Sequence, residues 1–243
     1  MRAVVVDDEE LARAVVREYL AAHPDVEVSA ECANGFEAVK AITELRPDLL
    51  FLDVQMPKLT GFEVLELVEH PPAVVFTTAY DEFALKAFEV HAVDYLLKPF
   101  SRERFDEALT RARKRAAEAP DRGVEGVTRE AAERRGSRDR ILIREGAGVV
   151  VIPVEKVDLI EAEDDYVRIR AEGKEYRKQT PLGDLEKMLP PSRFVRIHRS
   201  ILLNVDRLAK LELYAKDSRV AILKDGTRLP VSRSGYARLR ELL

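Results

Sequence analysis

The sequence is poor in the residues that build covalent or metal scaffolds. It has one cysteine, four histidines and no tryptophan among 243 residues. A single cysteine, Cys32, excludes an internal disulfide framework and any metal site made of several cysteines. No apolar run approaches the roughly 20 residues of a membrane-spanning helix, because charged residues and prolines interrupt every candidate. We therefore expect a protein without internal disulfides and without a membrane-spanning helix.

The first residues also lack the pattern of a secretory signal. The apolar run Ala3–Val6 is shorter than a signal-peptide core, and the acids Asp7 and Asp8 follow it directly. This pattern, together with the single cysteine, predicts a cytoplasmic protein.

Charge is distributed unevenly along the chain. The net charge is −4, yet residues 1–118 contain 14 Lys and Arg against 23 Asp and Glu, a balance of −9. Residues 139–243 contain 21 against 17, a balance of +4. An acidic half joined to a mildly basic half indicates two domains with different tasks. The basic half permits nucleic-acid binding without requiring it.

Short apolar runs alternate with amphipathic stretches in the first half of the chain. The runs are nearly continuous, which is typical of strands covered on both faces. Five such strands alternating with five helices predict a flavodoxin-like α/β fold, (βα)5, with a parallel five-stranded sheet. The predicted strands are Ala3–Val6, Val26–Ala30, Leu49–Leu52, Val74–Thr77 and Val93–Leu97, and the predicted helices are Glu9–Ala22, Gly35–Leu45, Gly61–Glu69, Asp81–Val90 and Arg102–Ala117.

The second half of the chain has a different pattern of apolar runs. Residues 119–138 contain proline, glycine and opposed charges without hydrophobic periodicity, so we interpret them as a linker between domains at 1–118 and 139–243. Short strand-like runs then dominate and predict a mostly-β second domain, in which Asp225-Gly226 is a strong hairpin-turn signal. Its predicted helices are Leu182–Leu189 and Ser234–Leu243.

Four of the predicted parallel strands end in chemically active side chains. Asp7 and Asp8 close the first strand, Asp53 the third and Thr78 the fourth, and Lys98 follows the fifth. Ligands of doubly wound sheets bind at these carboxyl ends. Three converging carboxylates require a cation, and an all-oxygen set favours Mg²⁺. Mg²⁺ beside a nucleophilic carboxylate is a site for phosphoryl transfer.

Residues 1–118 resemble a response-regulator receiver domain in the strings VVVDDE, LLFLDVQMP and VVFTTAYDEFALKAFEVHAVDYLLKPF. The resemblance implies that a sensor histidine kinase phosphorylates Asp53, and that the domain turns over no external substrate and is not an enzyme. It further implies that Mg²⁺ is held by Asp7, Asp8, Asp53 and the Gln55 carbonyl. Thr78 and Lys98 would contact the phosphoryl group, the Lys98–Pro99 bond would be cis, and Tyr95 would be an aromatic switch.

Residues 139–243 resemble a LytTR-type DNA-binding domain. The matching strings are VDLIEAEDDYVRIRAEGKEY, TPLGDLEKMLP, FVRIHRSILLNVDRL and GTRLPVSRSGYARLREL. The family folds mostly as β-structure and inserts loops into successive major grooves of double-stranded DNA. The resemblance implies base contacts by Arg199 and Arg233, a third contact region at Asp164-Asp165-Tyr166 in which Tyr166 is favoured, and backbone contacts by His198, Ser200 and Lys178. From this architecture we expect a homodimer when the protein is phosphorylated.

Simpler structural roles compete with several of these assignments. Asp8 could cap the first helix. His198 could be a structural histidine, and Asn204 is better explained as a turn residue than as a DNA ligand. Cys32 is expected to be a small buried hydrophobic residue in or just after the second strand.

Two other functions are compatible with parts of the pattern. A phosphatase of the haloacid-dehalogenase kind also uses a nucleophilic aspartate, but it carries a second aspartate two residues later, where this chain has Gln55. A phosphorylation-dependent adaptor could instead bind protein or RNA through the β domain, although that domain has few aromatic residues for stacking on bases.

Overall fold

The computed structural model describes residues 1–118, 139–215 and 218–242. The chain divides into two compact units, the first containing residues 1–118 and the second containing residues 150–215 and 218–242. The predicted linker at 119–138 lies outside the described residues. Within the described ranges, no helix combines the length and the apolar character needed to cross a membrane.

The first unit alternates strands and helices as the sequence predicts. Its parallel sheet has the strand order β2-β1-β3-β4-β5, so the order reverses between β1 and β3. The flavodoxin-like fold class is confirmed. The elements are β1 (Arg2–Val6), α1 (Glu10–Leu20), β2 (Glu27–Cys32), α2 (Gly35–Leu45), β3 (Leu49–Leu52), α3 (Gly61–Leu67), β4 (Ala73–Thr78), α4 (Ala84–Glu89), β5 (Asp94–Leu97) and α5 (Arg102–Glu118).

The core of this unit explains its apolar pattern. β3 is buried along its whole length, and β1 is buried at every position after Arg2. Phe51 of β3 stacks on Phe105 of α5 with ring centroids 5.1 Å apart, and both side chains are fully buried. Strands covered on both faces carry no alternating polar residues, which is why the runs are continuous.

Several helices and strands differ in their ends from the prediction. α3 ends at Leu67 rather than Glu69, because Val68 is already extended (φ −99°, ψ 124°) ahead of the pair Pro71-Pro72. β2 continues to Cys32 because it pairs with β1 as far as Val6. Cys32 is buried there, which confirms the expected position, and burial raises the pKa of its thiol to about 11.

The second unit is mostly β, as predicted. Its elements form an antiparallel sheet of order β10-β9-β8-β12-β11, a three-stranded sheet β13-β14-β15 and a ribbon β6-β7. They are β6 (Arg140–Glu145), β7 (Gly148–Pro153), β8 (Val157–Glu163), β9 (Tyr166–Ala171), β10 (Lys174–Lys178), α6 (Leu182–Met188), β11 (Phe194–His198), β12 (Ile201–Asn204), β13 (Leu208–Ala215), β14 (Ser218–Leu223), β15 (Arg228–Val231) and α7 (Arg233–Leu242).

The five-stranded sheet is buried on both faces at its central strands β8 and β12. Ile160 of β8 belongs to a core with the ribbon and α6, whereas its neighbour Leu159 belongs to a core with β14, β15 and α7. The predicted turn at Asp225-Gly226 joins β14 to β15, and Gly226 has the positive φ of +86° that such a turn requires. Both faces of the sheet are therefore covered at β8 and β12, whereas β9 and β10 keep exposed or partly exposed charged residues.

Candidate phosphoryl site and nucleic-acid interface

Three carboxylates meet at the carboxyl end of the parallel sheet, beside the point where the strand order reverses. Asp7 is 2% exposed and Asp53 is 6% exposed, whereas Asp8 is exposed. Each offers one oxygen that lies within 4.8 Å of the others. Asp8 does not cap α1: the cap residue is Glu9, whose amide donates to Asp7 Oδ1 at 3.1 Å.

The loop after β3 holds Asp53 in place. The Asp53 amide donates to the Val6 carbonyl at 2.9 Å, which ties the end of β3 to the end of β1. A Cβ atom on Gly61 would lie 2.3 Å from the Asp53 carbonyl oxygen, so only glycine fits at this position. Thr60 and Glu63 close a capping box that begins α3 next to the loop.

Lys98 brings a positive charge to the carboxylates. Its amide donates to the Thr78 carbonyl at 2.7 Å, and its Nζ donates to Asp7 Oδ2 at 2.6 Å and lies 3.8 Å from Asp53 Oδ2. The Lys98–Pro99 peptide bond is cis, as expected. A single ammonium group therefore serves two buried carboxylates.

The single positive charge of Lys98 does not balance the negative charges of the two buried acids, Asp7 and Asp53. Burial raises the pKa of Asp53 to about 6, with the Lys98 charge lowering it and the Asp7 charge raising it further. Burial also raises the pKa of Asp7, although its hydrogen bond with Lys98 opposes this. Asp53 Oδ1 and Thr78 Oγ1 are buried and make no hydrogen bond of good geometry, although the Thr78 hydroxyl and the Gln55 amide lie close enough to Asp53 to lower its pKa. A pocket with excess negative charge and two unsatisfied oxygen atoms fits a divalent cation and a phosphoryl group.

Tyr95 lies outside this pocket. It sits on β5, its hydroxyl donates to the Tyr80 carbonyl in the segment after β4, and its ring centroid is 6.3 Å from that of Phe76. Burial raises the pKa of Tyr95 to about 12, and the charge of Asp53 adds to this effect. Tyr95 thus connects β5 with the segment that follows Thr78.

A second set of predicted residues gathers at one end of the antiparallel sheet. Glu161 of β8 pairs with Ile201 of β12, so the β8–β9 turn and the β11–β12 turn project from the same end. Tyr166 borders the first turn, and the exposed Arg199 lies in the second. His198 Nδ1 lies 2.9 Å from Ser200 Oγ, which braces the turn around Arg199.

α7 is fixed to the same end by close contacts with β11. The Ser232 amide donates to the Ile197 carbonyl at 2.8 Å, and Ser232 Oγ accepts from the Gly235 amide at 3.0 Å. A Cβ on Gly235 would lie 2.0 Å from the Ile197 oxygen, so a side chain there would push the helix off the strand. Arg233 is the first residue of α7 and directly follows Ser232, which bonds β11 two residues before Arg199.

A groove of about 400 Å³ is lined by residues of β11, of the turn after it and of the first turns of α7. Of the predicted DNA-contacting residues, only His198 and Arg199 line this groove, and Arg233 is not among its lining residues. Its two other arginines, Arg196 and Arg238, are absent from our sequence prediction. Arg196 precedes His198 by two positions and so shares its face of the strand, which is a detectable signal. Arg238 lies within the amphipathic α7 and carries no comparable signal. The groove is lined by Arg196, His198, Arg199, Ser232, Ser234 and Arg238.

Two other predicted residues lie apart from the groove. Lys178 is on β10, the opposite edge of the sheet and roughly 19 Å from β11 at the usual strand spacing. Its Nζ donates to the Leu142 carbonyl at 2.8 Å. Asn204 is fully buried, bonds the Val157 carbonyl at 2.7 Å and accepts from the Asp206 amide, which confirms its role as a turn residue.

Comparisons with known proteins match each part of the chain to a known family. Residues 3–110 match the response regulator receiver domain, and residues 147–243 match the LytTr DNA-binding domain. Sensory transduction protein LytT of Bacillus subtilis is 34% identical over 100% of this chain and 99% of its own length. Transcriptional regulatory protein BtsR of Escherichia coli is 35% identical over the same shares.

Among solved structures, the response regulatory domain of protein mrkE from Klebsiella pneumoniae is 30% identical over 49% of this chain and 100% of that chain, with a TM-score of 0.46. The fold and the two matched domains define a response regulator. More particularly, the chain belongs to the family of response regulators that join a receiver domain to a LytTr DNA-binding domain.

Proposed function

We propose that Asp53 accepts a phosphoryl group from the phosphohistidine of a sensor histidine kinase, and that this modification controls sequence-specific binding of double-stranded DNA and transcription. The observation that carries the proposal is the buried Asp53 carboxylate, on which two further carboxylates and one ammonium group converge and whose Oδ1 makes no hydrogen bond of good geometry. An unsatisfied carboxylate oxygen is available as a nucleophile.

The donor set fits Mg²⁺. Asp7, Asp8 and Asp53 offer oxygen ligands only, and the Gln55 carbonyl would complete the protein's share. When bound, Mg²⁺ neutralises charge on the phosphoryl oxygens during transfer. The raised pKa of Asp53 supports this assignment, because a cation in the pocket favours the ionised form that acts as nucleophile.

The remaining chemistry belongs to the chain's own residues. A carboxylate oxygen of Asp53 attacks phosphorus, the phosphorus–nitrogen bond of the donor breaks, and the imidazole leaves with the electron pair. Lys98, which bonds Asp7 in this structure, would turn its ammonium toward a phosphoryl oxygen. The buried hydroxyl of Thr78, which makes no hydrogen bond of good geometry, would donate to another oxygen.

The response then passes from Thr78 to Tyr95. A shift of Thr78 toward the phosphoryl group would move the segment whose Tyr80 carbonyl accepts from Tyr95, and so would release the tyrosine ring. We assign the chain no external substrate: it modifies itself, and Gln55 stands where a phosphatase of the haloacid-dehalogenase kind has its general acid.

For DNA, we propose that Arg199 and Arg233 contact base edges and that Tyr166 contributes from the β8–β9 turn. Arginine can bond guanine O6 and N7 together, and both arginines lie at the same end of the sheet. His198 and Ser200 would contact phosphates beside Arg199. Lys178 is the weakest member, since its ammonium already bonds the Leu142 carbonyl at the far edge.

These assignments imply a receiver domain at 1–118, a linker at 119–138 and a DNA-binding domain at 139–243. The test is selection from a pool of random duplex DNA by the full chain with Mg²⁺, with and without beryllofluoride as a phosphoryl mimic. We expect one repeated motif to be enriched, more strongly with beryllofluoride, and the Asp53→Ala variant to be indifferent to it. Failure to enrich any motif in either state would contradict DNA binding and favour a protein-binding adaptor.

A further inference from the structure

One carboxylate beside the DNA groove has no part in the proposed function so far. Glu186 of α6 is about one-third exposed, and each of its oxygens holds a different arginine of the groove. Arg196 Nη1 lies 2.9 Å from Glu186 Oε2, and Arg238 Nη1 lies 3.4 Å from Glu186 Oε1. An acid that binds two arginines in a DNA groove lowers the positive charge available to phosphates.

Through Arg196, Glu186 is also linked to the turn that carries Arg199. While Nη1 of Arg196 bonds Glu186, its Nη2 donates to the Arg199 carbonyl at 2.6 Å. The planar guanidinium group therefore links α6 to the β11–β12 turn as a rigid fork. With His198 and Ser200 bonded to each other across Arg199, the turn is held from two sides.

We propose that Glu186 is a specificity-determining residue of the DNA interface. It positions Arg199 through Arg196, and it keeps Arg196 and Arg238 from binding phosphates independently of base sequence. This inference rests on the proposed function, because it assumes that the groove binds DNA. Discrimination improves when sequence-independent attraction is limited and the base-reading side chain is preorganised.

The test compares the full chain and its Glu186→Gln variant, both with Mg²⁺ and beryllofluoride. Fluorescence anisotropy measures affinity for the selected duplex and for a shuffled duplex at several salt concentrations. We expect Glu186→Gln to bind the shuffled duplex several-fold more tightly and the selected duplex less tightly, so that the specificity ratio falls by about tenfold or more. The salt dependence on the shuffled duplex should steepen by about 1 to 2, since each of the two freed arginines that gains a phosphate contact contributes roughly 0.9 to the slope.

A matched control is available at the other end of the sheet. Glu172 lies in the β9–β10 turn and pairs with Lys156 at 3.1 Å. Glu172→Gln removes the same charge and also releases a cation, but away from the groove. We expect it to change the two affinities by the same small factor and to leave the specificity ratio intact.

A second variant separates positioning from charge. Arg196→Lys keeps the positive charge but cannot bond Glu186 and the Arg199 carbonyl together in one plane. It should lose affinity for the selected duplex while affinity for the shuffled duplex changes less than twofold. Thermal unfolding of each variant within a few degrees of the parent establishes that the fold is retained.

The outcomes are distinguishable. If the parent prefers the selected duplex and Glu186→Gln keeps the same ratio, or matches Glu172→Gln, the role of Glu186 is overturned while the proposed function stands. If the parent shows no preference for any duplex, the proposed function is wrong, and the inference about Glu186 is wrong as well.

Discussion

At the scale of single residues, the most consequential feature is the buried carboxylate of Asp53. Folding removes it from water and supplies only a shared ammonium group, 3.8 Å away, as compensation. Burial accordingly raises its pKa to about 6 from the ordinary 3.8. The receiver fold thus carries an unfavourable charge that a cation and a phosphoryl group would relieve.

This charge predicts how stability depends on pH without Mg²⁺. Because the folded pKa lies above the unfolded one, the folded state binds more protons between about pH 4 and pH 6, and stability falls as pH rises through that window. The Asp53→Asn variant escapes this loss and should be more stable at pH 7, by on the order of 1–3 kcal/mol. Hydrogen exchange of β1 and β3 at several pH values measures the stability of this unit separately.

Asp8→Asn is the control for that experiment. Asp8 is exposed, so its replacement should leave the stability of the Mg²⁺-free protein nearly unchanged while weakening the stabilisation that Mg²⁺ confers. Equal stability of the parent and Asp53→Asn throughout pH 4–7 would show that the buried charge of Asp53 does not destabilise the folded protein.

At the scale of secondary-structure elements, the DNA interface depends on how α7 sits on β11. The helix approaches the strand so closely that Gly235 has no room for a Cβ, and Ser232 bonds the same Ile197 carbonyl. Of the two arginines assigned to base contacts, Arg199 directly follows β11 and Arg233 begins α7. Their separation is therefore set by a backbone-to-backbone contact.

We predict that Gly235→Ala destabilises the second unit by about 2–4 kcal/mol, because the new methyl group would lie 2.0 Å from the Ile197 oxygen. Specific DNA affinity should fall even where the variant remains folded, since the helix must move away from the strand. Urea denaturation and anisotropy measure the two effects.

Gly183→Ala in α6 is the matched control. The nearest atom to its added Cβ lies 4.0 Å away, and alanine favours a helix over glycine. It should be neutral or stabilising by up to about 1 kcal/mol. If Gly183→Ala and Gly235→Ala reduced stability by similar amounts, the close contact between α7 and β11 would not explain the effect of Gly235→Ala.

At the scale of the whole molecule, one chain combines a modifiable acidic unit with a DNA-binding unit. Two such chains that read adjacent half-sites would bind DNA far more tightly if phosphorylation joined them, because the second contact becomes intramolecular. We therefore propose a homodimer as the phosphorylated form.

Sedimentation equilibrium tests this proposal. The protein with Mg²⁺ alone should sediment as a monomer, and addition of beryllofluoride should shift it to a dimer with a gain in affinity for a two-site duplex of about 100-fold or more. Asp53→Ala should remain monomeric under both conditions. A parent protein that sediments identically with and without beryllofluoride would exclude phosphorylation-linked dimerisation.

The strand ends could be predicted because their signal is local. Asp7, Asp53 and Thr78 each follow a continuous apolar run, and parallel strands place their carboxyl ends at one edge of the sheet. Local turn chemistry likewise located the hairpin at Asp225-Gly226. Boundaries were less certain where pairing or proline decides them, as at β2 and α3.

The Glu186 network could not be predicted in this way. Glu186, Arg196 and Arg238 lie on three different elements, and no local sequence pattern indicates that they are paired. The distance between Lys178 and the groove also depends on the strand order of the sheet, which no local pattern encodes.

By itself, then, the sequence determined the two fold classes, the alternation of elements and the residues at the strand ends, because hydrophobic periodicity and turn chemistry act over a few neighbouring positions. The tertiary structure alone decided the raised pKa of Asp53, the shared role of Lys98 and the pairing of Glu186 with two arginines. Burial and contacts between distant elements arise only when the chain has folded, and these set the charge and geometry of both sites.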